Sequence, residues 1–484
     1  MLNLTPLLRL YARRRAARLA SQDYVSTQKE ELSKLIFAAE RTRFGRDHHF
    51  SKITSITDYQ AAVPLRYYEN FWEEYWKEDF PRLNNCTWPG RIKYFPVTSG
   101  TTSGTTKYIP YSPEMQTSNQ KAGLDLLVHH LCNQPRSRIF AGKSFMLGGS
   151  TDLVEVSPGI FTGDLSGIAV KTMPWWARLR YFPPPELALL KEWEEKIDKL
   201  AKTSLDQKIT MISGVPSWLL IFFNKLFELI PQAEGKLRNI YPSLEMLVHG
   251  GVNFAPYYAQ FCKLLEGSGA ELREVYPASE GFIAIADRRY AEGLRLNLDH
   301  GIFFEFVPVS ELQSPNPMRH WIANVEKDLN YAIVLTTCAG LWSYVIGDTV
   351  KFVELDPPRV LVTGRTSYCL SAFGEHLIAE EIEDAVSQAA AGIGATVNDY
   401  SVAPVFPRST AELGGHLYII EFVGTPPEAA QLEEFCRLLD QRLCERNEDY
   451  AAHRAKGFGL KAPQVIPAKE GTFAAWMKRR GKLG

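Results

Sequence analysis

The spacing of apolar and polar positions changes several times along this chain, and the changes mark out its elements. In residues 26–41 the apolar side chains Leu32, Leu35, Ile36 and Ala39 recur at helical spacing and predict an amphipathic helix. The first 90 residues read as mostly helical. They include an aromatic and acidic stretch from Tyr67 to Phe80, expected to be a helix packed by its aromatic face. Tyr94-Phe95-Pro96-Val97 reads as a short strand, and a Ser-Pro-Glu start opens a helix over residues 112–130. Beyond it, short β-rich runs alternate with helical ones. Strands are expected at 208–213, 244–249, 272–276, 303–307 and 331–336, and helices at 185–202, 217–229 and 256–266. That alternation predicts an α/β fold whose sheets are covered by helices.

The texture changes near Gly364-Arg365. A strand over 359–363 ends there; a loop over 366–374, a helix over 377–390, strands at 400–406 and 417–423, and a helix over 427–446 follow. A stretch of about 110 residues is enough for a small α+β domain of its own. The expected organisation is a large N-terminal domain over 1–364, a hinge over 365–374 and a small mobile C-terminal domain over 375–484.

Composition narrows the function. The chain has 484 residues, 45% hydrophobic and 23% charged, which describes an ordinary globular protein of more than one domain. Lys plus Arg total 54 against 55 for Asp plus Glu, so bulk charge gives no sign of a nucleic-acid partner. Seven scattered cysteines, odd in number and without a CxxC pair, read as reduced thiols of a cytoplasmic protein. No apolar run approaches the length of a membrane span. The basic segment Leu7-Leu8-Arg9-Leu10-Tyr11-Ala12-Arg13-Arg14-Arg15 reads as a solvated helix face. The histidines show no HExxH spacing and there is no GxSxG, which disfavours a zinc hydrolase and a nucleophile-elbow hydrolase.

The densest candidate chemistry is Thr98-Ser99-Gly100-Thr101-Thr102-Ser103-Gly104, closed by Lys107 and Pro110. Gly100 and Gly104 permit backbone angles and close approach that other residues forbid, so successive N–H groups can converge on an anion. The hydroxyls add donors, and Lys107 adds a mobile point charge. The Walker spacing is absent. Read alone, the run is either a polyphosphate-wrapping loop or a Ser/Thr/Gly-rich linker.

Further candidates lie at strand ends, where ligands bind in open α/β sheets. They are Ser213-Gly214-Val215-Pro216, His249-Gly250-Gly251 and Tyr276-Pro277-Ala278-Ser279-Glu280-Gly281. Glu280 could support Mg²⁺ on a triphosphate, or be a turn carboxylate. Tyr344-Val345-Ile346-Gly347-Asp348 precedes a strand expected at 349–353, so Asp348 is either turn chemistry or a carboxylate for ribose hydroxyls. Arg365 could add a ribose or phosphate contact. Trp218 is a pocket-wall candidate, whereas Trp175-Trp176 reads as packed core or a subunit contact.

Taken in order, these segments resemble the adenylate-forming superfamily of acyl-CoA ligases, peptide-synthetase adenylation domains and luciferases. In detail they resemble the Gretchen Hagen family of auxin-responsive acyl-acid amido synthetases, over residues 26–480. The segments Thr98 to Lys107, Tyr276 to Glu280 and Tyr344 to Asp348 are similar to that family's three motifs. Weaker agreement includes Gly163-Asp164-Leu165-Ser166, Gly214-Val215-Pro216-Ser217-Trp218 and Gly471-Thr472-Phe473. Gly374-Glu375-His376-Leu377-Ile378 is unlike the plant members and points to a bacterial or other non-plant branch.

The resemblance implies an adenylate-forming fold and a ligase using ATP and Mg²⁺. A small carboxylic acid would be converted to an acyl-adenylate and passed to an amine, commonly an amino acid. Ser99, Gly100, Thr101, Thr102, Ser103, Gly104 and Lys107 would hold phosphates. Tyr276, Pro277, Ala278, Ser279 and Gly251 would contact adenine and its surroundings, Asp348 and Arg365 the ribose, and Glu280 the Mg²⁺ region. His376 would stand near the nucleotide where relatives often carry a lysine, and Ser213, Trp218 and Ser166 would line the acyl pocket. The family's C-terminal Gln-x-Lys segment is expected past Gly471-Thr472-Phe473, but the sequence ends at Gly484 without it, and its role is not transferred to Lys478 or Lys482. An acyl-CoA ligase and a nucleotide- or acyl-binding protein without turnover are the alternatives.

Overall fold

The computed structural model describes residues 3–99, 106–148, 153–188, 190, 193–251, 254–366, 370, 377–405, 413–447, 450–451, 454 and 460–479. By contacts they form two compact units: residues up to Ile346 together with Val350–Val362, and Gly347–Thr349 together with residues from Thr363 onward.

In the larger unit, local signals fix the helices that later cover the sheets. Helix α1 (Thr5–Ala20) carries a proline in its first turn and buries Leu8, Ala12 and Leu19. Helix α2 (Tyr24–Ala39) is capped by the Asp23 carboxylate, which accepts from the Ser26 N–H, and it buries the expected stripe Leu32, Leu35, Ile36 and Ala39. Strand β1 (Tyr94–Ser99) pairs antiparallel with β2 (Thr106–Tyr108) and parallel with Ile160–Gly163, in a four-stranded sheet. Helix α3 (Pro113–Asn133) follows, with the Ser112 hydroxyl accepting from the Met115 N–H.

A twelve-stranded sheet organises the rest. Strands β3 (Lys143–Leu147), β4 (Ile209–Gly214), β5 (Met246–Gly250) and β6 (Glu271–Ala278) lie side by side and parallel. Helix α4 (Leu165–Thr172) lies between β3 and β4 in sequence; α5 (Pro216–Leu229) links β4 to β5 and α6 (Tyr258–Leu264) links β5 to β6. Both faces of this parallel segment are apolar, as βαβ crossovers require. On one face Leu147, Ile212 and Leu247 pack with Leu219, Phe222 and Phe223 of α5 and Phe261 of α6. On the other, Met246 and Val248 pack with Leu8 and Ala12 of α1 and Leu127, Val128 and Leu131 of α3. Strand β6 then turns through Ser279-Glu280 into antiparallel β7 (Gly281–Ile285). The same sheet includes β8 (Tyr344–Leu355) and β9 (Pro358–Arg365).

In the smaller unit, Val397–Val405 pairs antiparallel with Gly415–Phe422, which pairs parallel with Gln464–Ala468. Helices α7 (Ala379–Gly392) and α8 (Ala429–Arg446) bury Ile382, Ala385, Val386, Phe435, Leu439 and Leu443 against Tyr418, Ile420 and Phe422.

Several expectations need correction. Asp348 lies inside a continuous strand, with Gly347 at φ +90° within it, and not in a turn before a strand. The stretch 67–80 does not continue as one α-helix. After Tyr68–Phe71 it widens into a π-helix over Trp72–Trp76, closed by the Lys77 N–H donating to the Trp72 carbonyl. The single helix expected over 185–202 is described as Pro185–Ala188 and Trp193–Ser204. Trp175 is exposed, which overturns the packed-core reading of that residue. Arg15 is not on a solvated face. It is buried, with Nη2 2.6 Å from Asp125 and Nη1 2.7 Å from Asp299. Asp125, Asp299 and His300 converge as metal ligands would, but Arg15 and Lys121 already supply positive charge there.

Candidate active site

The hairpin of β1 and β2 places Lys107 directly across from Thr98, and Ser99 across from Thr106. The backbone at Ser99 is therefore strand, and Gly100, Thr101, Thr102, Ser103 and Gly104 lie outside the described residues. The Lys107 ammonium sits 3.4 Å from Glu69 and 5.4 Å from the centre of the Tyr68 ring. The Tyr68 hydroxyl in turn accepts from the Tyr108 N–H at 3.0 Å, which fixes the helix start at 68–71 against β2.

Glu280 comes to the same neighbourhood from the β6–β7 turn, and Tyr344 from the start of β8. Both are buried. Burial first, and then the charges of Glu280 and Glu69, push the Tyr344 phenol far above its ordinary value. The phenol therefore stays protonated and donates to the Glu280 carboxylate. The lysine of the first motif, the glutamate of the second and the tyrosine of the third thus meet around Tyr68 and Glu69. Sequence reading had placed those two residues only on a packed aromatic face. Their alternating aromatic and acidic character was visible, but their partner on β2 was not.

Tyr276, on β6, is buried in the same apolar cluster as Tyr344, while Pro277 is exposed and Ala278 and Ser279 are half-buried. Gly251 follows β5 with φ +84°, a left-handed angle that suits glycine. Ser213 and Ser166 approach the same sheet edge. Ser213, next to last in β4, donates to the Phe145 carbonyl at 3.3 Å; a Cβ on Gly148, just past β3, would come within 3.2 Å of Ser166 on α4. Trp218, in the first turn of α5, packs against the core on that helix's side. A hollow of about 850 Å³, lined in part by Lys29, Phe37, Gln60, Arg319 and Trp321, contains none of the motif residues.

In the other unit, the Asp348 carboxylate lies 2.9 Å from the Arg365 Nε. Gly347 has no side chain to crowd them, and a Cβ there would lie 3.7 Å from the Arg365 guanidinium. The Thr366 hydroxyl donates to the Gly347 carbonyl, and Thr363 donates to Thr349 across the two strands. His376 lies outside the described residues.

The chain has the fold of the adenylate-forming ligases. It aligns with a GH3.15 acyl acid amido synthetase structure at a TM-score of 0.78 and 16% identity, covering 96% of this chain and 90% of that one. A 2-hydroxyisobutyryl-CoA ligase structure aligns at 0.56 and 16% identity, over 92% of this chain and 87% of that one. Within that class, the GH3 family N-terminal domain matches residues 13–174 and 151–269, the central domain 296–365 and the C-terminal domain 380–484. The chain belongs to the GH3 family. A probable indole-3-acetic acid-amido synthetase of Oryza sativa subsp. japonica is 24% identical over 50% of this chain and 41% of its own length. An indole-3-acetic acid-amido synthetase of Arabidopsis thaliana is 23% identical over 50% of this chain and 42% of its own. The aligned stretch therefore spans less than half of these curated relatives. Among the described residues no helix is long and apolar enough to cross a membrane.

Proposed function

We propose that the protein is an ATP-dependent acyl-acid amido synthetase. It activates a small carboxylic acid as the acyl-adenylate, releasing pyrophosphate, and transfers the acyl group to an amine, releasing AMP. The observation that carries this reading is the meeting of Lys107, Glu280 and Tyr344, one residue from each of three motifs, around Tyr68 and Glu69.

Adenylation is a substitution at phosphorus. It needs aligned charge and positioning more than a covalent protein nucleophile. Lys107, together with the loop from Ser99 to Gly104, holds the phosphates. The exposed Glu69 grips Lys107 only weakly, so the ammonium can transfer to an anion at little cost. Tyr276 flanks the adenine with Gly251 and the segment 277–279, and Asp348 with Arg365 holds the ribose. Ser213, Ser166 and Trp218 wall the acyl group. The small domain turns about a hinge at 365–374 between the two steps.

Glu280 fits a hard cation because it offers carboxylate oxygens while the protonated Tyr344 stabilises its charge. Mg²⁺ bound there would neutralise triphosphate charge.

The test is AMP release from ATP and a carboxylic acid, with amino acids or coenzyme A as acceptor. Amine-dependent release is expected; release that depends on coenzyme A alone would replace this reading with a thioester-forming ligase.

A further inference from the structure

Two polar side chains in the larger unit, one buried and one half-buried, have no part in the site described above. His249 and Glu274 are direct neighbours on the parallel strands β5 and β6. Residues paired in this way share one face of the sheet. Gly214 of β4 continues the row beside His249, and Leu219 of α5 closes over that glycine. On the far side, the Ala286 N–H donates to the Glu274 carbonyl. The row lies one residue before β5 ends at Gly250, at the edge where ligands enter such sheets.

His249 is 1% exposed, and among the described residues neither ring nitrogen has a hydrogen-bond partner. Its ring stacks on Phe254 at 3.5 Å between centroids. Phe254 meets the Tyr290 ring edge-on at 5.5 Å, and Tyr258 stacks on Tyr290 at 4.3 Å. Glu274 is half-buried, so solvent reaches it. Nearby charges turn elsewhere: Asp287 pairs with Arg359, Arg288 with Glu354, and Arg273 with Glu271. Burial first, and then the charge of Glu274, raise the pKa of the Tyr290 phenol; that of Tyr258 is raised chiefly by its hydrogen bond to Cys262, with Arg289 opposing. A buried imidazole with two unmet nitrogens is costly unless something else satisfies it.

We infer that His249 and Glu274 form the subsite for the acceptor amine, with Glu274 as the base that takes a proton from the incoming primary ammonium. This rests on the amido synthetase reading above. The aromatic faces of Phe254, Tyr258 and Tyr290 suit a cation, and His249 offers one N–H donor and one lone pair to orient it. Burial pushes the Glu274 carboxyl up to about 7 and holds the His249 ring down to about 3. Glu274 is thus matched to proton transfer near neutrality, and His249 remains a neutral positioning residue. An ammonium cannot attack until it loses a proton. Glu274 takes one N–H proton, and the freed lone pair forms the C–N bond at the acyl carbon. The C–O bond to the AMP phosphate breaks with its electron pair leaving on AMP, and a second N–H proton passes to solvent.

The test separates the two half-reactions in Glu274→Gln. Carboxylate-dependent ATP–pyrophosphate exchange should stay within about twofold of wild type, while transfer to an amino acid falls by about 100-fold or more. Transfer to hydroxylamine, which is already unprotonated at neutral pH, should be retained. In wild type, amino-acid transfer should level off above about pH 7, whereas in the variant it should keep rising as free amine accumulates. The wild-type profile and Glu274→Asp keep the test decisive should the amide variant misfold. Equal losses with both amines, or unchanged amino-acid transfer, overturn the base. Absence of exchange in wild type sinks the ligase reading, and this one with it.

Discussion

The carboxylate of Asp348, which closes the YxxGD segment, lies 2.9 Å from the guanidinium of Arg365, which closes β9. Two residues that look independent in sequence therefore form one charged unit on neighbouring strands. Asp348→Ala and Arg365→Ala should each raise the KM for ATP, Asp348→Ala by about tenfold or more, since a hydrogen bond to a charged group is worth about 1.5–3 kcal/mol. The double variant should fall short of the product of the two by a coupling of about 0.5–1 kcal/mol, modest because Arg365 is partly exposed. Steady-state ATP titrations of the three variants check this.

Lys107 is held by Glu69, whose side chain is 52% exposed. Glu69→Gln should change the KM for ATP by less than about threefold, because such pairs contribute about 1 kcal/mol at most. Lys107→Ala should lower kcat/KM for pyrophosphate exchange by about 100-fold, as expected when preorganised charge is removed from a phosphoryl-transfer site. Equal effects of the two substitutions would show that the pair is structural.

His130 lies at the amino ends of β5 and β6, opposite the proposed site. Its Nδ1 is 2.7 Å from Glu271, and its Nε2 is 3.1 Å from the Ser137 hydroxyl and 3.3 Å from Glu245. The order resembles a hydrolytic triad, but Ser137 donates its proton to Glu245 and not to the ring. Burial opposes the charged ring, yet the hydrogen bonds to Glu245 and Glu271 win and raise its pKa. The stabilisation from this raised pKa is fully present below the unfolded histidine value of about 6.5 and is lost as pH rises through the folded value. His130→Gln should therefore destabilise more at pH 6 than at pH 9, by about 1.5–3 kcal/mol at the lower pH. Urea unfolding at both pH values measures the difference.

Arg15 joins α1 to Asp125 on α3 and to Asp299. Arg15→Met would strand the buried Asp125 and Asp299 carboxylates, leaving Asp299 to Lys121 and the more distant, exposed Arg18 and both to the His300 ring, and should cost about 3–5 kcal/mol. Replacing Arg13, which lies on the exposed side of α1, should cost less than about 0.5 kcal/mol. Denaturant midpoints of the two variants decide it.

Much of the fold was legible because it is written in local periodicity. The stripe of α2, the β4 and β5 runs with their small-residue ends, and α8 all appear within a few residues of their predicted bounds. The motif residues were legible as types, and the structure adds which of them touch. What could not be read are pairings across long stretches of chain. Glu69 precedes Lys107 by 38 positions and Arg15 precedes Asp299 by 284, and no periodicity links either pair. Asp348 was misplaced for a different reason. A glycine before an acid is ordinary turn chemistry, and only hydrogen bonding to the flanking strands carries β8 through it at φ +90°.

The most direct test of the account is carboxylate-dependent ATP–pyrophosphate exchange, run on the wild-type chain over a panel of aryl and alkyl acids with Lys107→Ala and Asp348→Ala alongside. Exchange with at least one acid, strongly reduced in both variants, is the predicted result. No exchange with any acid, or exchange untouched by both substitutions, would contradict it.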